Sequence, residues 1–468
     1  MMELSSPRVE RTAFGLMLFL IVWLPIPLAS NRPWAWSIME VLIATQSLML
    51  VYCCRGGIPW QWLKACRILL FGLLLFQLFT VIQLVPLSQG VLAWLSEAAL
   101  NFRLLGIPGS SHYPISLDPN QTIVNLVKGC SYLLLAINAC LLFNHPDRIR
   151  MVMLAFVISG TFQAFYGSLL ILSNITHSPI FDMAVGGNAT GSFVYKNHFA
   201  NYLILCLSMG LALVVADLNA TSASSWRHRI QQIIEALLSG KMLVRLCMII
   251  MVIGLVMSHS RMGNSAFFAI TILGAVMALL LFRQRPRSLT LLFSSVLLID
   301  VVIVSSFFGL DQVRERLSAT VLVEEGRADI VGWSWPIVED FYMTGSGAGS
   351  FYTIFQNYAP EPLNRFYDHA HNDYLQFVIE SGLLATLILG GAVLWVLVQA
   401  TLAMRKRRDP LLRATSLGCA MAIIGMLIHI SVDFNLQAPA NAASFIIILC
   451  LAMVAAKMPR KGYVPDRY

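Results

Sequence analysis

The stretch Asp368 to Gly382, DHAHNDYLQFVIESG, decides how this chain is read. It places two histidines, two aspartates and an asparagine directly before an apolar run that begins near Gln376. The same stretch closes the longest polar segment of a chain made otherwise of apolar spans. Polar groups crowded at the mouth of a membrane span are costly and often mark chemistry. The alternative is a solvated loop that caps the next helix.

Working outward, the composition sets the class. Of 468 residues, 57% are hydrophobic and only 12% are charged, about half the usage of a soluble domain. This predicts a multi-span membrane protein. The net charge of +8 does not point to nucleic acid, because the basic residues sit in short loops between apolar runs. The nine cysteines form no C-x-x-C pair and read as small hydrophobes. The run from Ala13, behind Arg8 and Arg11, reads as an uncleaved first helix rather than a signal peptide.

A helix needs roughly 20 apolar residues to cross a bilayer. Twelve runs qualify, beginning near Ala13, Trp34, Ile68, Ile123, Ile149, Asn197, Met242, Ser265, Leu289, Gln376, Leu411 and Pro439. Only helices satisfy their own backbone in lipid without closing a barrel, so the expected fold is all-α and polytopic. Loop charge alternates. Arg55, Lys64 and Arg67, then Arg148 and Arg150, then Arg227, Arg229 and Lys241 fall on one side. So do Arg283 to Arg287, Arg405 to Arg408, and the tail with Lys457, Arg460 and Lys461. The positive-inside rule makes that side cytoplasmic, with both termini inside.

The opposite face holds the informative loops: 86–122, 173–196, the turn SHSRMGN at Ser258 to Asn264, and 309–375. The last is too long for a plain connector. Its aromatics, Trp333, Trp335, Phe341, Tyr342, Phe351 and Tyr352 among them, predict short amphipathic helices on the membrane surface. The division expected is a nine-helix bundle over 1–308, the large loop over 309–375, and three helices with a tail over 376–468. The run GSGAGSF, Gly345 to Phe351, reads as a turn without the strand and lysine of a nucleotide loop.

Three blocks resemble the O-antigen ligase and O-antigen polymerase family of bacterial envelope glycosyltransferases. TGSFVYKNHFANYL, Thr190 to Leu203, is similar to the family's Asn-His-Phe block, with Tyr195 at a position usually filled by Asn. SHSRMGN is similar to its S-x-S-R-x-G turn. GRADIVGW, GSGAGSF, HAHNDYLQ and ESGLLA follow one another as in its signature domain. The resemblance implies a GT-C-like enzyme of the bacterial inner membrane with a periplasmic active site and no cofactor. It would move a glycan from an undecaprenyl-pyrophosphate carrier to an acceptor hydroxyl without a metal. The acceptor is lipid A-core for a ligase, another carrier-linked glycan for a polymerase, or a protein hydroxyl.

Within that resemblance each residue type has a chemical reason. A pyrophosphate leaving group needs its charge neutralised, and the planar arginine fork suits phosphate oxygens. Arg261 and Arg327 match the family pattern, with Lys196 as a further cation. Arg261 has the alternative of an interface anchor, and Arg327 that of a solvated face beside Glu324 and Glu325. His371 is the candidate base for the acceptor hydroxyl, since an ordinary imidazole titrates near neutrality. A capping histidine is its alternative. His369, two residues away, ranks below it. Asp373, Gln376 and Glu380 share one helix face, and Asn197, His198, Asn372, Asp373 and Glu380 are the supporting set. His369 and His371 lack further ligands at zinc spacing, so no metal is expected. His429 and Asp433, four apart, suggest a pair on one helix. Lys128 and Asp300 are intramembrane charges without a motif. A transporter or flippase is the reading from another class. It calls for paired repeats and interrupted helices, which the sequence does not display.

Overall fold

The computed structural model describes residues 6–106, 109–218, 240–283, 287–307, 329–360 and 367–459. Its long helices are α1 (Pro7–Trp23), α2 (Pro33–Cys53), α3 (Trp60–Leu84), and, after short α4 (Gln89–Leu95) and α5 (Glu97–Gly106), α6 (Pro119–Leu142). There follow α7 (Pro146–Leu172), α8 (Lys196–Ala216), α9 (Gly240–Met257), α10 (Arg261–Leu281) and α11 (Arg287–Phe307). Residues 329–341 form α12. Short α13 (Phe351–Phe355) precedes α14 (Asp373–Lys406), α15 (Pro410–His429) and α16 (Pro439–Lys457).

Each of the twelve apolar runs lies on a helix. Among the described residues nine helices are long and apolar enough to cross a membrane. The all-α polytopic membrane fold therefore holds. The described apolar stretches of α9 and α11 are Met242–Met257 and Ser288–Leu298. In α1, Pro25 and Pro27 follow the last turn and supply no N–H to extend it. The chain leaves through a 3₁₀ turn at Leu28–Ser30 with left-handed backbone.

Helices α8 and α16 are the centre of the bundle, with 94% of each span's apolar window buried. Both are apolar on every face, the pattern of a helix wrapped by others. Small residues set the spacing. A Cβ on Gly418 of α15 would lie 2.6 Å from that of Ala212 in α8, so only glycine permits this approach.

Helix α14 is not continuous. Its 34 residues would span about 51 Å, well beyond a ~30 Å hydrocarbon core. Gly382 (φ 75°, ψ 163°) splits it into 373–381 and 383–406, and the second part is long enough to span alone. This corrects the expectation of uninterrupted helices. The interruption receives the glycine turn. Leu383 N donates to Tyr342 O (2.7 Å), Ser346 N to Ile379 O (2.8 Å) and Gly347 N to Glu380 O (3.0 Å). Gln83, at the end of α3, locks the joint. Its amide donates to Thr344 O and Glu380 O, both at 2.8 Å, and accepts from Ala348 N at 3.1 Å.

The loops at this end build a second apolar core, separate from that of the bundle. Leu92, Ala99 and Tyr113 from the loop after α3 meet Ile337, Phe341, Phe351 and Phe355 from the large loop, and Ile379 of α14. A two-residue ribbon pairs Leu87–Ser88 with His112–Tyr113. This cap thus draws on two loops over 200 residues apart in sequence. At the other end lie ion pairs: Arg148 with Glu10 (2.5 Å) and Arg150 with Asp217 (2.8 Å). Arg407 there donates to the last carbonyls of α16, at Ala456 and Met458.

Candidate active site

Phe434, in the turn between α15 and α16, is the hub of a polar cluster at the cap end. Its ring stacks on His369 (4.3 Å between centroids) and meets His371 and His198 edge-on, both at 4.8 Å. Tyr195 closes the ring set, 5.4 Å from Phe434 and 5.3 Å from His198. Three histidines from two sequence blocks thus surround one apolar ring. Among the described residues no group of three or more His, Cys, Asp or Glu is arranged to hold a metal ion.

Asp433 ties the blocks together. It is 2% exposed, so its charge must be met by neighbours. Its Oδ1 lies 3.9 Å from His371 Nδ1 and accepts from Phe434 N (3.0 Å). Its Oδ2 accepts from the Asn197 amide. Asn197 Oδ1 in turn accepts from the Ser260 hydroxyl (2.8 Å), and Ser260 caps α10, whose first residue is Arg261. One carboxylate therefore joins the histidine stretch, the Asn-His-Phe block and the Ser-Arg turn. Asp433 was legible only as a partner for His429 on a helix. In fact α15 ends at His429, so the two share no helix face, and His429 Nδ1 meets the Asn201 amide at 3.3 Å.

The remaining residues sort by their hydrogen bonds. Asn372 caps α14: its Oδ1 accepts from Leu375 N (3.1 Å), and its Nδ2 donates to Ser431 O (3.0 Å). Asp373 turns away from His371. It accepts from Leu436 N (2.8 Å) and Gln437 Nε2 (3.1 Å), anchoring the turn that carries Asp433 and Phe434. Gln376 and Glu380 do share a face: Gln376 Nε2 donates to Glu380 Oε1 (3.0 Å) and to His369 Nδ1 (3.1 Å). Glu380 Oε2 accepts from Gly349 N (2.9 Å), so it holds the glycine turn rather than facing His371.

His371 adopts a left-handed backbone (φ 50°), a conformation that costs a non-glycine residue about 1–3 kcal/mol and clusters at functional sites. The Asp373 N–H bond to Ile430 O (3.0 Å) and the Asn372 bond to Ser431 grip the two residues that follow it. His369 differs. Burial pushes its imidazole below the ordinary value, opposed by Asp368 and by the Gln376 hydrogen bond, with Lys128 adding to the fall. Burial thereby favours the neutral imidazole, which suits a structural role. Burial pushes the Tyr195 phenol up, and the charges of Asp368 and Asp433 add to it.

Lys196 opens α8 beside Asn197. Lys128 sits over the Trp36 ring at 4.3 Å, a cation–π contact between α6 and α2. Arg327 and the Asp300 side chain lie outside the described residues. Missed by sequence reading were Phe434, Gln83 and the linking role of Asp433. The polar run VDFNLQAPAN at the entrance of an apolar helix was the available signal.

Fold and site together define a polytopic α-helical membrane protein with a cluster of histidines and carboxylates at its capped end. Residues 246–390 match the family model described as O-Antigen ligase, so this segment, about a third of the chain, is similar to that family. The matched segment contains Arg261, His371 and the glycine turn; Asn197 and Asp433, which complete the cluster, lie on either side of it. No curated protein matched the chain. The match supports a ligase-like glycosyltransferase of polysaccharide biosynthesis.

Proposed function

We propose that the protein transfers a glycan from an undecaprenyl-pyrophosphate carrier to an acceptor hydroxyl at the periplasmic face of the inner membrane, as an O-antigen ligase does. The bond from the sugar's anomeric carbon to the pyrophosphate oxygen breaks, and a bond to the acceptor oxygen forms. His371 takes the acceptor's proton, and the pyrophosphate leaves as an anion met by Arg261, Arg327 and Lys196. The observation that carries this reading is the chain His371–Asp433–Asn197–Ser260. It sets a candidate base, oriented by a buried carboxylate, on the same linkage as a candidate phosphate-binding arginine. Asp433 acts here as a positioning residue that stabilises the imidazolium formed by proton uptake. Polymerase and protein O-oligosaccharyltransferase differ only in acceptor.

The test is transfer by the purified chain in liposomes, supplied with carrier-linked glycan and, separately, with lipid A-core, carrier-linked repeat or peptide. Product with lipid A-core supports the ligase reading, and no product with any acceptor overturns the transferase. Arg327→Lys is expected to slow transfer about 10²-fold although charge is kept, because the ammonium lacks the paired fork. Wild-type rates from Arg327→Lys and Arg327→Ala would remove Arg327 from the site. Sidedness has its own check. Trp335 is 57% exposed on α12, so Trp335→Cys in a cysteine-free background should react with an impermeant thiol reagent in intact spheroplasts. Labelling only after lysis places the cap in the cytoplasm.

A further inference from the structure

The loop between α7 and α8 borders a half-open space that shares only Lys196 with the proton and phosphate chemistry proposed above. A cavity of about 270 Å³ lies between this loop, Leu28 and the end of α7. That volume is just under the ~300–1,000 Å³ of drug-sized ligand pockets, room for one or two sugar rings. The walls mix polar and apolar groups. Asn188, Thr190 and Lys196 face Ile180, Met183 and Phe193, and Tyr195 stands at the rim. Lys196 is the single charged residue of the lining, too little for a pyrophosphate but compatible with a neutral polyol. The Asn188 amide is held in place, its Oδ1 3.1 Å from His259 Nδ1 and its Nδ2 donating to Gly186 O at 3.2 Å.

Two contacts join this cavity to the cluster around Phe434. Tyr195, on the cavity wall, packs its ring on Phe434 and His198. Lys196, also on the wall, is followed directly by Asn197, which binds Asp433. A ligand in the cavity is thus one residue along the chain from the linkage that orients His371.

We propose that this cavity is a saccharide subsite, holding one sugar ring of the donor glycan or of the acceptor while the reacting bond lies at His371. The inference rests on the glycan-transfer reading and names where the sugar sits. An amide offers a donor and an acceptor to neighbouring hydroxyls, and an aromatic rim offers a flat apolar surface to the C–H face of a ring.

Gly186 gives a clean test. It lines the cavity, its backbone is not left-handed, and a Cβ there meets nothing within 4 Å. Gly186→Phe therefore brings a large ring to the cavity wall with no clash at Cβ, and Gly186→Ala adds only a methyl there. The purified full chain in detergent is examined by saturation-transfer NMR against a mixture of glucose, galactose, mannose, rhamnose and N-acetylglucosamine. At least one sugar should receive saturation from the wild type, Gly186→Ala and His371→Ala, and lose it with Gly186→Phe. No saturation in the wild type, or undiminished saturation in Gly186→Phe, overturns the subsite. In the liposome assay Gly186→Phe should raise KM about tenfold for one substrate with kcat kept. A rise for donor or for acceptor says which supplies the ring, and no rise for either rejects the proposal. Sugar binding that Gly186→Phe abolishes, in a protein that transfers nothing, would keep the subsite and reject the transferase.

Discussion

His371→Ala is expected to transfer glycan ~10²–10⁴-fold more slowly than the wild type while still binding the carrier-linked donor, the usual worth of a general base. The argument starts from the backbone. His371 is held at φ 50° directly before two residues whose polar groups are tied to the turn after α15. That turn presents Asp433, fixed by Asn197 and by its own neighbour's N–H. His371 Nδ1 lies 3.9 Å from this buried carboxylate, within ion-pair reach but beyond a hydrogen bond. Alanine at a left-handed position adds strain of its own, so His371→Asn serves as the second variant, since asparagine tolerates that backbone. Both should bind donor and fail in transfer. His369→Ala should be milder, because His369 is stacked on Phe434 and bonded to Gln376. Normal transfer by His371→Asn, or loss of donor binding equal to the loss of rate, makes His371 a binding or structural residue. His198 is then the next base to test.

Gly345→Val should unseat the cap and lower stability by about 3–5 kcal/mol, the range of severe single substitutions. Gly345 has φ 68°, and a Cβ there would run into the carbonyl of Glu380. Neither side can yield. That carbonyl is held by Gly347 N and by Gln83, and across the joint a Cβ on Gly382 would lie 2.6 Å from Met343 O. With the turn displaced, Glu380 loses the Gly349 N–H and is left as a buried carboxylate missing a donor. The measurements are the melting temperature in detergent and limited proteolysis of 86–118 and 329–360. A clear fall in melting temperature with early cleavage of both segments is expected. Gly332→Ala, on α12 where a Cβ meets nothing within 4 Å, should match the wild type. A Gly345→Val protein as stable and protease-resistant as the wild type would show that the turn is not what fastens the cap.

The sequence by itself determined the class and the order of the elements. Hydrophobicity over about 20 residues is a local property, and lipid leaves the backbone only one unclosed solution. So Pro439–Lys457 and Lys196–Ala216 were helices before any packing was considered. The motif blocks likewise stood out, because Asn197, Arg261 and His371 sit in short polar runs set against apolar spans. What only the tertiary structure decided was the pairing of these blocks. Asp433 serves His371 because Asp373 is drawn off by Leu436 N and Gln437, a competition between backbone and side-chain donors that spacing does not record. Glu380 serves the glycine turn because Gly382 interrupts α14 where Gly345 must approach. And the loops 86–118, 329–360 and 367–372 form one cap because none of these stretches alone buries its aromatic and branched residues. Periodicity along the chain reports which face of a helix is apolar. Which polar group meets which is settled by donors and acceptors that arrive from distant spans.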